Sequence, residues 1–140
     1  MRYAHQVVLF TLALLLAGCN DGKPGPSLPP PDQVYTLRGK IETLPAKDKP
    51  LSDLILLHEP IDSFVDMKGK VVGMDSMSMP FTPDRSVDLS PFAVGDVVEF
   101  TFEVRWKQAP RSLLTKMKKL PAGTTIKLGK AVPPAAPKPD

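Results

Sequence analysis

Three methionines lie close together in the middle of this chain, in the segment from Met74 to Phe81, which reads Met-Asp-Ser-Met-Ser-Met-Pro-Phe. Side chains two residues apart share one face of a β-strand, so an extended segment would place Met77, Met79 and Phe81 together. Thioether sulfur is a soft ligand that selects Cu(I) over hard ions such as Mg²⁺ or Ca²⁺. The segment is therefore a candidate soft-metal site, with Met74 as a third sulfur ligand.

Packing explains the same methionines equally well. Methionine is a flexible apolar side chain that fills irregular gaps in protein cores. The other apolar strands of the chain use Val, Ile, Leu and Phe, and only this segment changes to methionine, between small polar residues. From these residues alone, a metal site and a buried strand face are two equal interpretations.

His58 is the second candidate ligand, because imidazole commonly binds metals. The other histidine, His5, precedes the N-terminal apolar run, so His58 is the one that a processed chain would keep. A single histidine is more often structural or exposed than metal-binding. His58 can reach the face of Met77 and Met79 if its strand pairs with the methionine segment, because paired strands lie about 5 Å apart.

The N-terminal segment is typical of a secretory signal peptide. Arg2 and His5 form a short basic start, and an apolar run over 7–16 follows. This run is about half the length that a helix needs to span a bilayer. The tetrapeptide Leu-Ala-Gly-Cys that ends at Cys19 resembles the bacterial lipobox, which implies a signal peptide over 1–18 and lipid attachment to Cys19. The alternative is an ordinary signal peptide with an incidental cysteine.

Proline-rich segments flank the part of the chain that can fold. Of 17 prolines, nine lie in 24–31 and 133–139. Such segments bury little apolar surface, so we predict a tether over 19–33 and a Pro-rich C-terminal tail over 122–140 that is disordered from residue 131 onward. The remaining residues, 34–121, are enough for one small domain with a single core.

The domain shows the patterns of short β-strands. Alternation of apolar and polar residues predicts strands over 34–44 and 97–106, and apolar runs predict strands over 51–58 and 113–120. The methionine segment is the remaining strand, the third in chain order. Its prolines place it at a sheet edge or a strand end. Residues 61–67 form a helical turn or a loop, and 124–128 could add a short extension. These patterns indicate an all-β protein, a small barrel or sandwich.

Four elements of the sequence together resemble the periplasmic copper-binding protein of the CusF type. The elements are Tyr-Thr-Leu-Arg-Gly-Lys-Ile from Tyr35, His-Glu-Pro-Ile from His58, Gly-Met-Asp-Ser-Met-Ser-Met-Pro-Phe from Gly73 and Val-Gly-Asp-Val-Val-Glu-Phe from Val94. The likeness spans nearly the whole domain, and its His-x-Pro-Ile and Met-x-Met-x-Phe elements are fairly specific.

The resemblance implies a small five-stranded OB-like barrel, here with disordered Pro-rich tails. It also implies binding of Cu(I), and of Ag(I), through one histidine and two methionines, with transfer of copper to an efflux system. By position, the ligands are His58, Met77 and Met79. Because these ligands are neutral, the bound ion keeps its positive charge, and we expect a shallow site near the barrel surface.

This sequence departs from the family pattern in two ways, and both concern the fourth ligand of the metal. In the best-known member a tryptophan stands three residues before the first methionine and covers the metal through a cation–π contact. Here that position is Met74, which either completes the coordination as a third thioether or leaves the site more open. The segment between His58 and Met74 is also longer. Trp106 and Met117 are predicted to pack in the core, and Met67 is a weak additional candidate.

The expected function is that of a Cu(I)-binding lipoprotein of the bacterial periplasm, held by its lipid anchor alone. It would act as a copper chaperone or buffer with an efflux or cuproenzyme partner. We do not expect an enzyme, because one histidine and no free cysteine leave no plausible nucleophile–base pair. The first alternative is an envelope lipoprotein interaction module with a methionine-rich core face and no metal. The second is an oligonucleotide or oligosaccharide binder, which a net charge of +1 over 34–121 and few aromatic residues disfavour.

Overall fold

The computed structural model of the protein describes residues 28–46 and 54–135, and it is built on five β-strands. These are β1 (Gln33–Thr43), β2 (Leu54–His58), β3 (Ser78–Pro83), β4 (Val97–Val104) and β5 (Ser112–Lys119). The strands close into a barrel in the order β1-β2-β3-β5-β4. Neighbouring strands are antiparallel except β3 and β5, which are parallel. The expected small five-stranded OB-like barrel is confirmed.

Strict alternation along β4 supplies much of the core. Val98, Phe100, Phe102 and Val104 are buried, while the residues between them are partly or fully exposed. Phe81 of β3 packs edge-on against both phenylalanines, with ring centroids 5.1 Å and 5.0 Å away. Burying one such ring is worth about 2 kcal/mol, so this aromatic cluster is a main source of barrel stability.

The methionine segment is only partly a strand. The prediction placed a strand over the whole segment, but β3 begins at Ser78, and Met74 to Met77 form a loop. Met74 pairs with Ile61 only as an isolated bridge, and the continuous pairing with β2 starts where Ser78 lies opposite Leu57. In β3 itself Met79 and Phe81 are more buried than the neighbouring residues, as the alternation predicted.

Residues 61–74 form an irregular hairpin, not a helical turn. Its bridges join Ile61 to Met74 and Val65 to Val71. The hairpin is anchored to the barrel by Phe64, whose ring centroid lies 5.5 Å from that of Tyr35. The Tyr35 hydroxyl also accepts a hydrogen bond from the Val65 amide at 3.0 Å.

The chain continues beyond β5 without regular structure, so the predicted extension over 124–128 is not a strand. Residues 126–133, named here the C-terminal strap, nevertheless contact the barrel loops through hydrogen bonds from Lys127, Gly129, Ala131 and Val132. The Pro-rich tail predicted over 122–140 thus includes a segment that bonds to the barrel loops as far as Val132.

Several predictions fall on residues that the structure does not describe. The signal peptide over 1–18, the lipidated Cys19 and the last five residues of the tail lie outside the described ranges. Within 28–46 and 54–135, no helix is long and apolar enough to cross a membrane.

Gly39 lies where β1 passes close to the core and to β2. A Cβ atom at this position would lie 2.9 Å from Cε1 of Phe100 and 3.0 Å from the carbonyl oxygen of Leu57. We expect Gly39→Ala to lower the free energy of unfolding by about 1–3 kcal/mol, because the backbone oxygen cannot move without breaking strand pairing. Urea denaturation would measure the loss.

Gly129→Ala is the matched control, because nothing lies within 4 Å of a Cβ built at Gly129. It should change the free energy of unfolding by less than about 0.5 kcal/mol. Equal losses in the two variants would show that a general cost of replacing glycine, rather than the close approach at Gly39, sets the loss.

Candidate functional site

His58 closes β2 with its side chain inside the barrel. Leu54, Leu56 and His58 are the buried residues of this strand, and the residues between them are only partly buried. The relative exposure of His58 is 0%, the same as that of the two leucines. An imidazole thus occupies a position that the strand pattern would otherwise assign to an apolar side chain.

The two ring nitrogens of His58 have different surroundings. Nδ1 lies 2.6 Å from the carbonyl oxygen of Glu59. Because a carbonyl oxygen can only accept, Nδ1 carries the proton, and Nε2 of the neutral ring has a free lone pair. Nε2 is buried and has no hydrogen-bond partner among the described residues. Burial lowers the pKa of His58, although the hydrogen bond to Glu59 opposes this shift.

An unpartnered buried nitrogen is costly. Leaving a buried polar group unsatisfied costs about 1–3 kcal/mol, and native structures contain few such groups. A histidine whose Nδ1–H is held by a backbone carbonyl while Nε2 is free has the orientation and tautomer of a metal ligand. The His58 ring is therefore suited to bind an ion through Nε2.

Strand pairing places Met77 beside His58. In the antiparallel pair of β2 and β3, Leu56 is opposite Met79 and Leu57 is opposite Ser78. One step further, the His58 amide donates to the Met77 carbonyl at 3.1 Å. Side chains opposite each other on such strands share a face, with Cβ atoms about 5 Å apart. The strand pairing on which the reach of His58 depends is thus present in the barrel.

The candidate ligands range from the interior to the surface. His58 is fully buried, Met79 is half-buried against the core cluster, and Met77 is 48% exposed. The thioether of Met77 is consequently the part of this set that solvent or another protein can reach most easily.

Met74 approaches the methionine face from the hairpin. It exchanges two backbone hydrogen bonds with Ile61, of 2.8 Å and 2.9 Å. Met74 and Met79 line one small cavity of about 170 Å³, whose other walls are Phe64, Phe102, Val104, Trp106, Arg111 and Ser112. The structure therefore brings Met74 to Met79, and it brings His58 to Met77 by strand pairing.

Trp106 is a cavity residue that sequence reasoning assigned only to packing. It does pack, since its ring meets that of Phe64 edge-on at 6.0 Å. It also lines the cavity of Met74 and Met79. No signal in the sequence could have shown this, because the tryptophan lies beyond β4, far from the methionines along the chain.

The other two methionines of the domain lie elsewhere. Met67 is at the tip of the 61–74 hairpin and is 66% exposed. Met117 lies on β5 opposite Phe100 and packs against the core cluster, as expected.

The candidate site offers one imidazole nitrogen and thioether sulfurs as metal ligands. Among residues 28–46 and 54–135, no three His, Cys, Asp or Glu side chains are grouped so that they could hold a metal ion. The neutral imidazole and thioethers need not lose a proton to bind, and they favour Cu(I) and Ag(I) over hard divalent ions.

Comparison with known proteins adds no relative. No protein-family model, no curated protein and no solved structure matches this chain.

The buried imidazole makes stability depend on pH. Because the folded pKa of His58 is lowered from its usual value near 6.5, the unfolded chain binds a proton there more readily than the folded protein. The stabilisation is complete above pH 6.5 and is lost as pH falls toward the folded pKa. We expect the free energy of unfolding of the metal-free protein to fall by up to about 1.4 kcal/mol per pH unit in this window.

Urea denaturation between pH 5 and 7.5, with a chelator present, would measure this slope. His58→Leu is the comparison variant, because leucine can fill this buried position but cannot titrate. An identical slope in both proteins would exclude His58 as its source.

Proposed function

We propose that this protein is a periplasmic Cu(I)-binding lipoprotein that acts as a copper chaperone or buffer in copper resistance. The observation that carries the proposal is the free Nε2 of His58, which is buried without a partner among the described residues, on a strand whose last amide bonds to the Met77 carbonyl. The same residues carry the sequence resemblance to the CusF-type copper-binding protein.

The first ligand is Nε2 of His58. The carbonyl of Glu59 accepts from Nδ1–H and so holds both the tautomer and the ring plane before any ion arrives. Outer contacts of this kind are worth about 10–100-fold in metal affinity. The lowered pKa of His58 also means that few protons compete with the ion at neutral pH.

The sulfur ligands are Met77 and Met79. Met79 sits on β3, held in register by β2, whereas Met77 precedes the strand and is exposed. One rigid and one accessible thioether suit a carrier, because a partner protein can displace the exposed ligand first. Met74, which lines the cavity with Met79, is the third thioether available to the ion. We propose Cu(I) as the natural ion and Ag(I) as an accepted substitute.

The sequence supports the proposed location. The lipobox-like segment ending at Cys19 supports a lipid anchor and a periplasmic domain. Thioether ligands suit that compartment, because they do not form disulfides as thiols would. The proposed partner is a copper exporter or a copper-requiring enzyme of the cell envelope.

The second candidate is an envelope lipoprotein interaction module with no metal. It is favoured by the packing of Met74 and Met79 against the core cluster, which is what methionines with a purely structural role would show. The two functions predict different effects on Cu(I) binding when the methionine sulfurs are removed.

The double variant Met77→Leu/Met79→Leu separates the two functions. We expect the native protein to bind one equivalent of Cu(I) and the variant to lose at least about 100-fold in affinity, more than an outer contact would cost. The fold should survive, because exchanges between Met and Leu cost less than about 1.5 kcal/mol. Anaerobic titration against a competing Cu(I) chelator would measure affinity, and X-ray absorption would count sulfur and nitrogen ligands.

Met117→Leu is the matched control, because Met117 packs on the core away from the pairing of β2 and β3. It should bind Cu(I) as the native protein does. If the native protein fails to compete with the chelator, or if the double variant binds as well as the native protein, the copper function is wrong and the interaction module is favoured.

Met74→Leu tests the third thioether. We expect a smaller loss, about tenfold, because Met74 reaches the site across the cavity wall and not through the strand pairing that holds Met77. One fewer sulfur in the X-ray absorption spectrum would identify Met74 as a ligand. An unchanged affinity and sulfur count would leave it a packing residue.

A further inference from the structure

The C-terminal strap is held by hydrogen bonds from its backbone to side chains of distant loops. The four donors are the amides of Lys127, Gly129, Ala131 and Val132, and their acceptors are, in order, Glu59 at 2.8 Å, Ser76 at 3.0 Å, Asp75 at 2.9 Å and Asp62 at 2.7 Å. A fifth bond runs the other way, from the Ser76 amide to the Gly129 carbonyl at 2.9 Å.

These acceptors lie on both halves of the candidate metal site. Glu59 follows His58 directly and supplies the carbonyl that holds its ring. Asp75 and Ser76 are the two residues after Met74, in the loop that leads to Met77. The strap therefore joins the histidine half of the site to the loop that carries the thioethers.

Close packing shows the same contact independently. Gly73, just before Met74, has φ +69°, and a Cβ at this position would lie 2.8 Å from Cβ of Ala131 and 2.9 Å from Cγ of Pro133. The strap thus lies directly against the backbone that leads into the thioether loop, and only glycine leaves room for it.

Polar contacts contribute more than apolar burial to holding the strap. Two of its large apolar side chains are exposed, Leu128 at 59% and Val132 at 74%, and Ile126 is only partly buried. Three of its acceptors are carboxylates, which accept hydrogen bonds more strongly than neutral groups. Loss of one acceptor should therefore loosen the strap without removing any part of the barrel core.

We infer that the C-terminal strap positions the Met74–Met77 loop against His58 and thereby sets the affinity of the site for Cu(I). This inference rests on the proposed function. Its physical basis is preorganisation: a loop that is already ordered loses less conformational freedom when its thioethers bind an ion. Asp75 is the positioning residue with the most direct effect, because it lies between the two loop methionines and bonds to the strap.

The variants Asp75→Ala and Asp75→Asn separate the hydrogen bond from the charge. Alanine removes the acceptor of the Ala131 amide, whereas asparagine keeps an oxygen in the same place. We expect Asp75→Ala to bind Cu(I) about tenfold more weakly and Asp75→Asn to recover most of this loss. Asp88→Ala is the control, because Asp88 caps only its own turn through Ser90.

Hydrogen exchange in the metal-free protein provides a readout that does not depend on copper. The Ser76 amide should exchange about tenfold faster in Asp75→Ala than in the native protein, because its bond to Gly129 opens with the strap. The amides of β4 should exchange as before. A chain that ends at residue 126 should show the same change, and one that ends at 135 should not.

The outcomes distinguish failure of the proposed copper function from failure of the inference about the strap. If the native protein does not bind Cu(I), the proposed function fails and this inference fails with it. If the native protein binds Cu(I) but Asp75→Ala matches it in affinity or in exchange at Ser76, the inference alone is overturned. Should the chain ending at 126 not fold, the Asp75 variants still give the answer.

Discussion

The pairing of β2 with β3 is the constraint on which the candidate site depends. Leu56 stands opposite Met79, so two residues further along this register His58 meets Met77, just before β3. A shift of one residue would turn every side chain of one strand to the other face, separating the imidazole from the thioethers. The register is held by apolar burial, because Leu54 and Leu56 from β2 and Phe81 from β3 fill the same core.

The barrel tolerates a buried polar group at the end of this pairing. His58 takes the third inward position of β2, where a leucine would satisfy the packing without an unpartnered nitrogen. An apolar residue there would remove a penalty of about 1–3 kcal/mol. A stability cost of this kind is common where a structure keeps a group for binding. Nε2 of His58 is therefore a stronger sign of a binding site than the methionines, whose positions packing can also explain.

Two kinds of structure meet at the site. His58 and Met79 belong to strands whose positions are set by the core. Met74 and Met77 belong to a loop that hydrogen bonds hold, through Ile61 of the hairpin, the His58 amide of β2 and the strap. Rigid strands give a fixed base for an ion, while a loop held by hydrogen bonds can open at modest cost. A site built in this way would combine selectivity with release, which a carrier needs.

The sequence by itself determined the strands to within a few residues and the types of the candidate ligands. Period-two alternation over 97–104 reports which face is buried, and the unusual methionines and single domain histidine stand out in composition. Tertiary structure alone decided that Trp106 shares a cavity with Met74 and Met79, that β3 begins only at Ser78, and that the strap bonds to the barrel loops. The reason is that local patterns record burial, whereas these features depend on partners distant along the chain; Asp75 and Ala131, for example, are separated by 56 positions. A strap that bonds through its backbone amides leaves no side-chain pattern from which its contacts could be predicted.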